Sequence, residues 1–269
     1  MSAANSGSFT SDKQQQAAGL LHDLWTRKDR CAALPDDQRP LDRLQGYAVQ
    51  AAFAQIHGSP VSGWKIAATS VDGQRHIGVD GPLAGRIYSD RLLPVGASVS
   101  LTSNLMHVAE IEFAFSFAKT LPPRSTEYTV AEVLEAVAAV HPSIEIPDSR
   151  YEDFVSVGAP QLIADNACAC LFILGQAAND WKTFDYLNQS IHVTLNGEAI
   201  DAGYGRNVLG DPRVALTWIV NELSGMGMAM QAGQFVTTGT CRVPVKVKAG
   251  DAVHADFGPL GQVSCRFTA

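Results

Sequence analysis

The chain has no apolar run of the roughly 18 residues that a membrane-spanning helix needs. Its opening stretch, Met1 to Lys13, lacks the apolar centre of a secretory signal, so the cytoplasm is the expected compartment. It has no cluster of Lys and Arg, and the net charge of -7 gives no electrostatic footprint for nucleic acid. Cysteine is sparse and irregularly placed: Cys31, Cys168, Cys170, Cys241 and Cys265 are odd in number, and Cys168-Ala-Cys170 is not the C-x-x-C of zinc or redox sites. Free thiols are expected. The glycine patterns that cradle phosphates, G-x-G-x-x-G after a strand and G-x-x-x-x-G-K-S/T, are missing, as is the G-x-S-x-G elbow. The seven histidines show no H-x-x-x-H spacing. Nucleotide enzymes, zinc proteases and serine hydrolases therefore lose weight.

What remains is 269 residues, 46% hydrophobic and 17% charged, enough for a sizeable core. The N-terminal part reads as helical. Ser11 is placed to cap a helix carrying Ala17, Leu20, Leu21, Leu24 and Trp25. A second helix is expected after Pro40, with Leu41, Leu44, Ala48, Ala51 and Ala52 on one stripe and an end at Gly58. From Val61 onward, short runs of period two take over. They predict strands at 63–69, 108–118, 143–146, 191–195, 235–238, 243–248, 252–257 and 261–267, with Asn196-Gly197 as a hairpin turn. Thr129 with Glu132 forms a capping box for a helix through Val133, Leu134, Val137 and Val140. Asp211 and Pro212 open another that ends at Gly225. The expected fold is α+β: a helical region over 1–75, then a mixed, mostly antiparallel β body over 76–269.

The most informative segment is Val108 to Ala118. As a strand it has one solid apolar face, Ala109, Ile111, Phe113, Phe115 and Phe117. The other face carries Glu110 and Glu112, then only Ala114, Ser116 and Ala118. The two glutamates are then about 7 Å apart along one face. Such a pair fits either a solvated face or a site where a shared cation relieves the repulsion. Glu145, between Ile144 and Ile146, adds a third carboxylate; three carboxylates without His or thiolate suit Mg²⁺ or Mn²⁺. Asp148 and Arg150 just beyond read equally as a loop salt bridge. Lys65, in the middle of the apolar Gly63–Thr69 run, is costly if buried. It is either on an open face or turned to a cavity as an acid/base or a carboxylate anchor. Asp165-Asn166 interrupts an apolar run, which a helix cap also explains.

Taken in order, these segments resemble the 2-oxopent-4-enoate hydratase and 4-oxalocrotonate decarboxylase family of the fumarylacetoacetate hydrolase superfamily. The resemblance rests on Gly63-Trp64-Lys65-Ile66, Glu110-Ile111-Glu112-Phe113-Ala114-Phe115, Ile144-Glu145-Ile146-Pro147-Asp148-Ser149-Arg150, Ile163-Ala164-Asp165-Asn166-Ala167, Val208-Leu209-Gly210-Asp211-Pro212, Ala232-Gly233 and Thr237-Thr238-Gly239-Thr240. It implies a mixed β-roll behind a helical N-terminal part, assembled as a homo-oligomer that associates with pathway enzymes. Glu110, Glu112 and Glu145 would hold Mg²⁺ or Mn²⁺. Lys65 would be the active-site lysine, with Asp80 as its acidic companion. Asp165, Asn166, Thr238 and Thr240 would contact a small 2-oxo or 2-hydroxydienoic acid. One departure stands out: Leu83 occupies a position that is commonly acidic in that family. The implied activity is metal-dependent hydration of a 2-hydroxy-2,4-dienoate in meta-cleavage aromatic catabolism. Decarboxylation of a 2-oxo-3-enedioate and a non-catalytic partner subunit are the alternatives, with hydrolysis of a 1,3-diketone third.

Overall fold

The computed structural model describes residues 9–178 and 180–269. Two helices lead the chain, α1 (Ser11–Arg27) and α2 (Arg43–His57). Thr10, one residue before the expected Ser11, caps α1, its hydroxyl accepting from Lys13 N. Asp42 caps α2, so Leu41 lies outside the helix. The buried face of α2 is Tyr47, Val49, Ala52 and Phe53. Leu41 and Leu44, expected on the inner stripe, are 75% and 70% exposed. The stripe drawn from them was rotated because it was anchored on a residue that precedes the cap.

The strands are β1 (Val61–Ala67), β2 (Leu83–Tyr88), β3 (Leu92–Leu93), β4 (Ser98–Ser100), β5 (Val108–Phe117), β6 (Val137–Ile146), β7 (Leu171–Leu174), β8 (Ile191–Leu195), β9 (Glu198–Gly203), β10 (Phe235–Thr240), β11 (Val245–Lys246), β12 (Ala252–Asp256) and β13 (Gln262–Thr268). Between them lie α3 (Val71–His76), α4 (Val130–Ala136), α5 (Ala159–Ala164) and α6 (Pro212–Gly225). One sheet runs β2-β1-β10-β5-β6-β7-β3, with β11 also on β5; a second runs β4-β13-β12-β8-β9. Both are mixed: β1–β10, β3–β7 and β4–β13 pair in parallel. The fold is thus mixed α/β. The boundary expected at 75/76 falls inside the first sheet, because β1 is hydrogen-bonded to β2 and β10 beyond it.

Local signals and tertiary pairing compete visibly in the middle of the chain. The capping box forms with both of its hydrogen bonds, and the helix it starts is α4. That helix stops at Ala136, and Val137 and Val140, expected on it, open β6 instead. Pro142 bars a continuing helix, and β6 pairs along nearly the whole of β5, from Phe117↔Val137 to Glu110↔Glu145. The Asn196-Gly197 turn joins β8 to β9 as expected, with both residues at positive φ. Asp211 caps α6 with Pro212 at its first position. All five cysteines are free. No described helix is long and apolar enough to cross a membrane.

Candidate metal centre

Register places the site. Glu110 and Glu112 lie on one face of β5, and pairing with β6 sets Glu145 directly opposite Glu110. One carboxylate oxygen from each of the three lies within 4.8 Å of the others. Glu112 and Glu145 are buried, and Glu110 is half-buried at the edge. On the far side of β10, β1 brings Lys65 opposite Thr237. The Lys65 Nζ reaches 3.0 Å from Glu145 Oε1 and donates to the Ala167 carbonyl at 2.9 Å. Further along the same face, Ile87, Ala114, Phe172 and Phe235 pack together, with the Phe172 and Phe235 rings stacked at 5.2 Å. Phe172 of this cluster pairs with Glu145 across β6 and β7, so the apolar group borders the site.

Glu112 is held on one oxygen only. Its Oε2 accepts from the Thr237 hydroxyl and, at 2.9 Å, from Gly239 N–H. Its Oε1 is buried without a partner, and neither oxygen of Glu145 makes a well-formed hydrogen bond. The Lys65 ammonium forms an ion pair with Glu145 Oε1 at 3.0 Å, and Glu145 Oε2 has no partner. Buried acceptors left open are rare, because each costs about 1–3 kcal/mol. Open oxygens on Glu112 and Glu145, in a cluster where the three carboxylates come within 4.8 Å of one another, fit a hard cation that takes oxygen ligands. Burial drives the Glu145 carboxyl up to about 7, against the opposing pull of Lys65. Burial, with the neighbouring carboxylates, raises Glu112 further. Burial also raises Glu110, which Lys65 counteracts. For Lys65, burial favours the neutral amine, but Glu145, Glu110 and Glu112 outweigh it and keep the ammonium.

A pH dependence follows. Glu145 folded holds a proton that the unfolded chain releases between about 4.5 and about 7. The stability this contributes to the metal-free protein is complete below the lower value and lost as pH rises through the upper. A dication must displace that proton, so its stabilisation grows with pH. The increase in Tm on adding Mn²⁺ to chelator-treated protein is expected to be larger at pH 8 than at pH 6. An equal increase at both would mean that the carboxylates enter binding already ionised.

The remaining expected site residues are placed differently. Asp80 is at the surface, its side chain 89% exposed and 3.7 Å from Arg43. The structure does not bring it into contact with Lys65. Asp165 is buried and bound to Arg150 and Ser149, and its side chain caps no helix. Asn166 is buried with both polar side-chain atoms on the backbone of Arg86, at 2.7 Å each. Thr238 donates to the Phe113 carbonyl and Thr240 to that of Arg242. Asp148 and Arg150 are not paired with each other: Asp148 takes Arg30 and Arg150 takes Asp165. Sequence reading missed Thr237, Gly239 and the Ala167 carbonyl. Thr237 becomes visible only through the β5–β10 register, which no local spacing encodes. Thr237→Val is expected to lower divalent-metal affinity about 10–100-fold, the usual cost of losing a ligand's orienting partner. Titration with Mn²⁺ checks it, and unchanged affinity would show that Gly239 N–H alone orients Glu112.

A family model described as fumarylacetoacetate (FAA) hydrolase C-terminal matches residues 88–268. The chain belongs to the fumarylacetoacetate hydrolase family. Its relatives include both hydratases and decarboxylases. A "2-keto-4-pentenoate hydratase" of Paraburkholderia xenovorans strain LB400 is 28% identical over 262 residues, 96% of each chain. A "4-oxalocrotonate decarboxylase" of Pseudomonas sp. strain CF600 is 32% identical over 213 residues, 79% of this chain and 80% of that one. Among solved structures, the 4-oxalocrotonate decarboxylase of Pseudomonas putida G7, complexed with magnesium and adipate, superposes with a TM-score of 0.87. It is 26% identical, and the match covers 97% of this chain and 99% of that one. The fumarylacetoacetate hydrolase fold thus accounts for both mixed sheets and for the helices packed on them.

Proposed function

We propose that the protein is a metal-dependent hydro-lyase that adds water to a 2-hydroxy-2,4-dienoate, giving a 4-hydroxy-2-oxo acid in meta-cleavage aromatic catabolism. The observation that carries this reading is the buried triad Glu110, Glu112 and Glu145 with the Lys65 ammonium on Glu145. The hydratase assignment is supported by relatives of that name that match nearly the whole chain. A Mg²⁺ or Mn²⁺ ion held by the three glutamates would supply Lewis acidity toward the carboxylate and 2-oxygen of a small 2-oxo acid.

The chain's own residues do the rest. Lys65 enters charged and is the cationic side chain against the triad, so it delivers a proton to C5 of the dienol as the 2-hydroxyl loses its own. The product of that step is the 2-oxo-3-enoate; water then bonds to C4 while C3 takes up a proton, so the sum is the dienol plus one water. Phe172 and Phe235 give the site an apolar border. Thr237 and Gly239 N–H fix Glu112 throughout. Asp80 takes no part, since its carboxylate is solvated beside Arg43. Asp80→Asn is accordingly expected to keep kcat within about twofold, the scale of an ordinary surface change; a loss of tenfold or more would give Asp80 a role in a closed state.

Decarboxylation of a 2-oxo-3-enedioate is the second reading, favoured by the close superposition on a decarboxylase. The test is a paired assay on metal-stripped protein, with and without Mn²⁺. One sample holds 2-hydroxypenta-2,4-dienoate and the other a 2-oxo-3-enedioate. Metal-dependent loss of the dienol absorbance without CO₂ supports the hydratase. CO₂ released from the diacid, with the dienol untouched, replaces it by the decarboxylase.

A further inference from the structure

Lys65 donates to a carbonyl that stands on an unusual piece of backbone. Asn166, Ala167 and Cys168 all have positive φ, at 56°, 49° and 62°. Three consecutive non-glycine residues in the left-handed region do not arise from local preference, since Ala and Cys disfavour it and Asn visits it singly. Such strain persists where the surroundings over-determine it, and it gathers at functional sites. Here the surroundings are explicit. Asn166 spans the backbone of Arg86 with its side-chain amide, accepting from Arg86 N and donating to Arg86 O, both at 2.7 Å. It thereby ties the turn to β2 as a further strand residue would. Arg150 holds both feet of the arch: it donates to the Asp165 carboxylate and carbonyl at one end and, at 3.5 Å, to Ala169 O at the other. The ring of Trp25 lies 4.5 Å from the Arg150 guanidinium, so α1 braces the clamp.

Gly85 lets the arch descend onto the lysine. It faces Lys65 across the β1–β2 pair. A Cβ at that position would collide with the Asn166 carbonyl and lie 3.1 Å from Lys65 Cγ. The glycine is therefore sandwiched between the lysine stem and the arch. That close approach sets the Ala167 carbonyl 2.9 Å from Nζ.

We propose that Asn166 is a positioning residue whose clamp on the Arg86 backbone holds the Ala167 carbonyl against Lys65 and so aims the ammonium beside the triad. Asn166 is 1% exposed and both of its polar side-chain atoms are engaged, so it does not contact substrate. The inference rests on the role given to Lys65 under the proposed function.

The test is a double-mutant cycle on the Mn²⁺-loaded full chain with 2-hydroxypenta-2,4-dienoate, combining Asn166→Gly with Lys65→Met. Glycine removes the clamp while accepting positive φ without strain. Asn166→Gly alone is expected to lower kcat about 10–100-fold, with KM and the Mn²⁺ Kd within about threefold of wild type. In the Lys65→Met background it is expected to cause no further loss. Multiplying losses overturn the inference and leave the lysine's role standing, and so does a wild-type kcat for Asn166→Gly. Wild-type activity in Lys65→Met removes the lysine's role and this inference with it. If Asn166→Gly fails to fold, Asn166→Asp is read in the same cycle: it is isosteric and keeps the acceptor for Arg86 N while losing the donor to Arg86 O.

Discussion

Replacing Glu112 by Gln is expected to abolish turnover, by about 10³-fold or more, and to weaken Mn²⁺ binding at least about 100-fold, without destabilising the metal-free protein. The two halves of this result have one cause. Glu112 is fully buried, and burial together with Glu145 and Glu110 raises its carboxyl well above the ordinary range. In metal-free protein it is therefore largely neutral, and a glutamine amide copies that state. The amide oxygen still accepts from Thr237 and from Gly239 N–H. The amide nitrogen takes the place of Oε1, which has no partner. The fold keeps both of these hydrogen bonds, and the Tm of chelator-treated Glu112→Gln is expected to stay close to that of wild type. With a dication the balance reverses: one anionic ligand of three is gone, and an NH₂ group cannot replace it. Scanning Tm with and without Mn²⁺, beside the dienoate assay, reads both halves at once. A variant that kept its Mn²⁺-dependent rise in Tm would place the cation elsewhere. A variant that melted well below wild type without metal would make Glu112 a structural residue.

The elements read most reliably from the sequence were those whose signals are local. The Asn196-Gly197 hairpin, the Thr129–Glu132 capping box and the Asp211-Pro212 start are each decided within four residues. The alternation along 108–118 was legible for the same reason, since a strand's two faces follow from its own sequence. The length of α4 was not, because β6 draws on eight residues of β5 that lie well upstream. Glu110, Glu112 and Glu145 could be picked out as odd residues in apolar runs, but only the β5–β6 register makes them one cluster. Asp165 and Asn166 were equally odd; their own pattern fitted a helix cap, and substrate contact came from the resemblance. Their partners are Arg150 and the Arg86 backbone, long-range pairings that sequence spacing does not reveal. A buried polar residue announces that it has a partner; it does not say whether the partner is protein, metal or substrate. Asp80 is the opposite case: resemblance implied a role beside Lys65, and its side chain lies exposed beside Arg43.

Lys65→Met separates the lysine's chemistry from any part it has in holding the cation. Methionine nearly matches the length of the lysine stem and fits the buried slot between Gly85 and the triad. The Ala167 carbonyl then loses its donor, a cost of about 1–3 kcal/mol. Part of this is offset because no ammonium has to be kept buried. Glu145 loses the charge that opposes its protonation, so it becomes more fully neutral without metal. With a dication bound, the like charge 3.0 Å from Glu145 is gone, and the cation no longer competes with the ammonium for that carboxylate. Metal affinity at pH 8 is thus expected to stay level or rise. Turnover is expected to fall about 10³-fold, the middle of the range for removing a positioned proton donor. The two signs oppose each other, which makes the result specific. A structural lysine would lose both metal and activity on substitution, and a bystander would lose neither. A proton donor set beside a cation site loses turnover while its metal binds as well as before, and an unchanged KM separates it from a substrate-carboxylate anchor. If Mn²⁺ affinity fell in step with kcat, Lys65 would be a support for Glu145 and the proton to C5 would have to come from solvent.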